Sequence, residues 1–213
     1  NFTINHNVAG YIIFNVPGGT VVNNSPFVVG GPSDSLNVTA GGSFTNHGML
    51  DGDLIKVSGA GSRFINSTGI YGFAADIIAD TGGLVANEGG TLGAVNLTVN
   101  AGGTFKAGIA GTTNVNHVSI NSGTYEVEIQ DPGVYGKINI VAPGVNNITN
   151  STVQVDLVGN HLFQTGETYT IIDNTAGGTI THSFNIVTQP SAATVKFIDV
   201  STAQDIILQV LRV

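Results

Sequence analysis

The chain lacks cysteine and tryptophan altogether and has one methionine. Without cysteine there is no disulfide framework and no thiol nucleophile. In an exported β-protein the same absence suits a chain that crosses a membrane unfolded, because no premature disulfide can form. Charge is also scarce. Asp, Glu, Lys and Arg make up 9% of the 213 residues, against about 25% in an ordinary globular domain. Only six are Lys or Arg, and the net charge is −8. So few cations give no basic patch, which makes nucleic acid and anionic membrane poor partners. No apolar run reaches the roughly 18 residues of a membrane-spanning helix. Neither an initiating methionine nor a signal peptide stands at the start of the sequence, so the chain reads as a piece of something longer, with any targeting signal outside it.

What is present is 30 glycines and a hydrophobic share of 41%, rich in Val and Ile, which argues against disorder. The glycines recur. The second glycine of each pair falls at Gly19, Gly42, Gly61, Gly83 and Gly103, and a Ser-Gly version ends at Gly123. The spacings are 23, 19, 22, 20 and 20. A period near 21 over six copies is the mark of a solenoid.

Three further columns keep this period. After each pair stands Val21, Phe44, Phe64, Val85, Phe105 or Tyr125. Before it stands Val16, Val38, Val57, Ala79, Val99 or Ile120, and two residues further upstream Phe14, Leu36, Ile55, Ile77, Leu97 or Val118. The i, i+2 spacing puts each upstream pair on one face of a strand. Two residues past the post-glycine column come Asn23, Asn46, Asn66 and Asn87, then Ala107 and Val127. The same parity turns these asparagines inward, where rungs about 4.8 Å apart would let each amide bond the next. The alternative is that Asn here merely suits a turn.

Each copy divides into about three short strands, as in "LIKVSG", "SRFINS" and "GIYGFAA" of the third. One copy is then one coil of three strands, and stacked copies form a right-handed parallel β-helix with glycine-permitted positive φ at its corners. A β-sandwich also has short strands at regular spacing but gives no reason for matched columns. After Tyr125 the pattern changes, and "TYEVEIQDPGVYGKINIVAPG" still alternates but has lost the double glycine. "STVQVDLVG", "ETYTIIDN", "GTITHSFNIV", "ATVKFIDV" and "QDIILQVLRV" come next, with turns at Asp131-Pro132-Gly133, Ala142-Pro143-Gly144 and Ala176-Gly177-Gly178. An open solenoid end carries unpaired backbone groups and needs an atypical closing unit. Residues 1–129 are accordingly expected to be repeat rungs, and 130–213 to be terminal rungs plus a β-hairpin cap.

The double-glycine rungs, "LTVNAGGTF" among them, then "GTYEVEI", "YGKINIV", "STVQVDLVG", "FQTGETYTIIDNTAGGTITHSF" and "DIILQVL", resemble the C-terminal passenger of a bacterial autotransporter, with its β-helix stem and autochaperone or junction region. The resemblance is one of pattern and carries no catalytic motif. It implies a secreted or cell-surface location, outside the bacterial outer membrane. It also implies one partner, an outer-membrane β-barrel translocator made by the same polypeptide beyond this stretch, and an adhesive or self-associating role toward host surfaces. Residues 130–213 would fold first and template the rest, since solenoid folding propagates between neighbours.

Chemistry is sparse. There is no G-x-S-x-G elbow and no Gly-Asp-Ser-Gly motif. His6, His47, His117, His161 and His182 are scattered, with no H-x-x-x-H pair. Asp51-Gly52-Asp53 offers too few hard ligands for calcium and reads as a turn. Asp51 and Asp53, then Asp76 and Asp80, lie one copy apart, with Lys56 and Arg63 between them. That is the nearest approach to the clustered carboxylates of a glycan-cleaving β-helix. The sequons at Asn37, Asn66, Asn96, Asn147 and Asn150 are what an Asn- and Thr-rich chain produces by accident. The expectation is a non-catalytic stem with no catalytic residue, no metal and no cofactor. The alternatives are a stem whose enzyme or toxin domain lies upstream, and a β-helix that itself acts on polysaccharide.

Overall fold

A computed structural model of the chain describes residues 1–5, 13–29, 34–71, 76–190 and 194–212. His6, the 72–75 end of the third copy's last strand and Val213 lie outside them. The described residues form 23 strands and no helix. The strands join into one mostly parallel sheet that coils through three stacks, as a parallel β-helix requires. The sandwich is thereby excluded.

The first stack is built from the strands that enter the glycine turns: Ile13–Pro17, Ser35–Thr39, Leu54–Ser58 and Asp76–Asp80, then the ends of Thr91–Val99 and Thr112–Asn121. Its register matches the sequence columns residue for residue. Phe14 aligns with Leu36, then Ile55, Ile77, Leu97 and Val118. Val16 runs likewise through Val38, Val57, Ala79, Val99 and Ile120 to Ile148. The second stack leaves the turns, and aligns Val21, Phe44, Phe64, Val85, Phe105, Tyr125 and Val153. The third closes each rung through Met49–Gly52, Ile70–Tyr71, the start of Thr91–Val99 and of Thr112–Asn121, and Ile138–Ile140. The inward columns merge into one continuous apolar core. Within it Phe44 stacks on Phe64 at 5.9 Å and Phe105 on Tyr125 at 6.3 Å between ring centroids, the offset spacing aromatic rings prefer.

The two glycines of a pair serve different purposes. The first carries the positive φ, +80° at Gly41, +89° at Gly82 and +78° at Gly102. The second sits where the coil passes close over the rung before. A Cβ on Gly42, Gly83 or Gly103 would lie 2.2–2.3 Å from the carbonyl oxygen of Val16, Val57 or Ala79. One alignment needs correction. Arg63 pairs with Ser43 and with Leu84, so the residue before it, Ser62, and not Gly61, occupies the second-glycine column. The third turn simply holds one more residue than its neighbours, Gly59 to Ser62, and the uneven spacings of 19 and 22 become 20 and 21.

Beyond Asp131 the rungs grow. A small hairpin pairs Ile129 with Tyr135 and Asp131 with Val134, and its turn is held by Gly133 N–H donating to Asp131 Oδ1 at 2.8 Å. Gly144–Leu157 still stacks in parallel on the rungs before it, and Gly178–Gln189 stacks on Gly144–Leu157. The end is then closed by reversal of direction. Ile206–Arg212 runs antiparallel between Thr168–Asp173 and Lys196–Asp199, and buries Ile206, Leu208 and Val210. This is the expected hairpin cap. The "DIILQVL" segment is its central strand.

Candidate functional site

The inward asparagines form a ladder. Asn23 Nδ2 donates to Asn46 Oδ1 at 2.8 Å, Asn46 to Asn66 at 3.0 Å, and Asn66 to Asn87 at 3.0 Å. All four are fully buried. The ladder ends where the column turns to Ala107: Asn87 donates instead to Thr113 Oγ1 at 2.9 Å and Thr112 O at 3.0 Å. A buried amide is costly unless paired, and the repeat supplies the partner one rung on. The turn alternative is thus set aside, although Asn23 Oδ1 also accepts from Ser25 N at 3.3 Å. Burial of Asn66 also closes its sequon to modification in the folded chain.

Of the carboxylates singled out in the sequence, Asp53 and Asp76 are neighbours across one rung, with Asp76 N–H donating to Asp53 O at 2.8 Å, but the four do not gather into one cluster. Asp51 belongs to the third stack, whereas Asp76 and Asp80 sit on the first. Four residues apart on one strand, Asp76 and Asp80 are separated by about 13 Å. Asp80 pairs with Lys56 at 3.6 Å, Asp76 accepts from Asn96 Nδ2 at 2.7 Å, and Arg63 belongs to the second stack. Among the described residues, no three His, Asp or Glu side chains converge as a metal site. His47 lies 3.4 Å from Thr68 Oγ1, His161 3.1 Å from Glu167, and His182 3.4 Å from Asp199.

A charge cluster that sequence motifs did not flag lies on the outer side of the second stack. Lys106 Nζ is 3.1 Å from Glu126 Oε1 and 2.8 Å from Glu128 Oε1. Burial alone would pull the Lys106 ammonium down, but the two carboxylates outweigh it and hold it above its usual range. Burial raises the Glu126 carboxyl, and a hydrogen bond with Asp156 adds to this, against the pull of Lys106. A carboxyl pair sharing a proton is a component of acid–base catalysis. Here, though, Glu126 is engaged by Lys106 and Asp156 by Gln154, which donates to it at 2.9 Å, while the neighbouring Glu128 accepts from Ile109 N–H at 3.3 Å. The signal for this cluster was in the repeat. Lys106 and Glu126 occupy the outward position between two inward columns and are register partners.

A concave feature lies elsewhere among the described residues. A cleft of about 200 Å³ opens on the outer side of the first stack over Asp76, Ile78, Asn96, Thr98, His117 and Val145. It exists because parallel pairing lapses there. Thr113–Val115 pairs with Ile138–Ile140, and pairing resumes at Ser119 with Asn147, so the intervening chain bows outward. Val118 N–H donates to the Asn146 side chain at 2.7 Å. Gly144 lies against the His117 imidazole, so that a Cβ there would come within 2.4 Å of Cε1.

No protein-family model matches the chain, and no curated protein matches it.

Proposed function

We propose that the chain is the non-catalytic β-helical stem of a bacterial autotransporter passenger, secreted or displayed at the cell surface. There it supports folding and secretion and presents an adhesive or self-associating face. The observation that carries this reading is the asymmetry of the solenoid. Uniform, cysteine-free rungs lead into a C-terminal antiparallel cap, Thr168–Asp173 with Ile206–Arg212 and Lys196–Asp199. A closed end offers a place where folding starts, and rungs that contact only their neighbours extend from it. The polysaccharide-cleaving alternative has less support, because the exposed carboxylates are dispersed and the paired ones are held by Lys106.

The test is the reading frame past Val213. A downstream segment of about ten-residue strands with alternating apolar and polar residues, as a membrane barrel requires, is the expected result. A stop or an unrelated domain would overturn the secretion reading.

A further inference from the structure

We propose that the cleft over Asp76, Asn96, Thr98 and His117 binds a single neutral sugar residue. The proposal rests on the adhesive part of the function proposed above and is independent of the secretion part.

The cleft offers donors and acceptors in alternation. Asp76 Oδ1 accepts from Asn96 Nδ2, which leaves Asp76 Oδ2 and Asn96 Oδ1 to act as acceptors toward a ligand. The Thr98 hydroxyl both donates and accepts. His117 Nδ1 is buried without a partner among the described residues, whereas Nε2 is not. In the neutral imidazole the tautomer that avoids a buried, unpaired N–H carries its proton on Nε2, which makes His117 a donor at the cleft. Sugar hydroxyls require such a mixture, because each one donates and accepts. Neighbouring rungs set these groups about 4.8 Å apart, on the scale of one hexose ring. Val145, 76% exposed, and Ile78 add apolar surface for the C–H side of that ring.

Size and charge narrow the class. About 200 Å³ is below the roughly 300 Å³ at which drug-sized pockets begin, so the cleft takes one residue and not an oligosaccharide. Among the described residues, no Lys or Arg lines it. The nearest cation in register, Lys56, aligned with Ile78, is engaged by Asp80. With Asp76 in no ion pair among the described residues and a chain charge of −8, uronates and sialates are disfavoured. So few contacts on an open surface imply millimolar affinity.

The test is an amide-resolved NMR titration of the whole chain with the methyl glycosides of glucose, galactose, mannose and N-acetylglucosamine, and with methyl glucuronide. At least one neutral glycoside is expected to give saturable shifts confined to residues 76–78, 96–98, 117–119 and 145–147. Methyl glucuronide is expected to bind at least several-fold more weakly. Thr98→Val removes a hydroxyl at constant shape, and Gly144→Ala drives the imidazole across the cleft. Each is expected to weaken binding ten-fold or more with the rest of the spectrum unchanged. Asp76→Asn, which keeps the side-chain shape, is expected to retain neutral-sugar binding and lose the discrimination against glucuronide. The proposal is overturned if no neutral glycoside shifts these amides, if the shifts survive Thr98→Val, or if glucuronide binds the unaltered chain as tightly. None of these results bears on the reading frame past Val213, so the site and the secretion reading fail separately.

Discussion

The two ends of the solenoid solve the same problem by different means. Through the rungs up to Asn87, the second of the two inward columns of the second stack is polar, and its amides pair with one another. From Ala107 on, the column is apolar, through Val127 and Val155. Repetition explains the difference. An inward amide needs a partner one rung on, another Asn within the ladder and Thr113 at its end. Apolar groups need no directional partner, so once the column is apolar it continues unbroken where the rung lengthens, from Val127 to Val155. The N-terminal rungs are held by repetition and the C-terminal part by irregular packing, with Phe163, Tyr169 and Phe197 meeting at 6.0–6.3 Å between ring centroids.

The sharpest way to break this comparison is Asn66→Ala. It leaves Asn46 Nδ2 without its acceptor and Asn87 Oδ1 without its donor, each at a cost of about 1–3 kcal/mol. The expected loss is about 2–6 kcal/mol in denaturant unfolding. In hydrogen exchange the loss of protection should be confined to the rungs from Asn23 to Asn87. Equal loss of protection in 168–212 would mean that the two regions are one cooperative unit.

A smaller effect is expected from Tyr125→Phe. The Tyr125 hydroxyl, fully buried, donates to Ile171 O at 2.9 Å. It reaches the bulge that strand 168–173 makes between Thr170 and Ile172, and so ties a regular rung to the cap. The ring stays in place in the variant, but the carbonyl loses its donor, at about 1–3 kcal/mol. Thermal unfolding is expected to broaden as the cap begins to melt apart from the rungs. A sharp, unshifted transition would show that this contact does not couple them.

The smallest effect concerns pH. In the folded chain, burial and then Asp156 hold the Glu126 carboxyl above its ordinary range. Folding therefore favours the protonated form. The stability this group contributes is present below its unfolded value of about 4.3 and is lost as pH rises through the folded value. Glu126→Gln is expected to flatten the pH dependence of the unfolding midpoint above the unfolded value of about 4.3 without lowering stability at neutral pH. A variant less stable than the parent at neutral pH would mean that the Lys106–Glu126 ion pair outweighs burial.

Much of the periodic region was legible in the sequence, because its structure is local information repeated. The apolar columns at Phe14 to Val118 and Val16 to Ile120 are register partners, and the Asn column is a bonded ladder. The third turn was misaligned by one residue because glycine content at Gly61 is a weaker marker than strand register. The Lys106–Glu126 pair sat in the same columns and is a consequence of the same period. The cleft had only half a signal. Asp76, Asn96 and His117 are successive members of one outward column, but the wall at Gly144–Val145 comes from a rung of different length.

The sequence by itself determined the rung, its length, which faces turn inward and why those faces pair, since every rung sees a copy of itself and needs no knowledge of distant residues. Tertiary structure alone decided how the stack ends and where it opens. The antiparallel closure by Ile206–Arg212, the reach of Tyr125 to Ile171 and the lapse of pairing that exposes His117 each join segments with no common period. Their contacts depend on packing geometry that only the assembled coil provides.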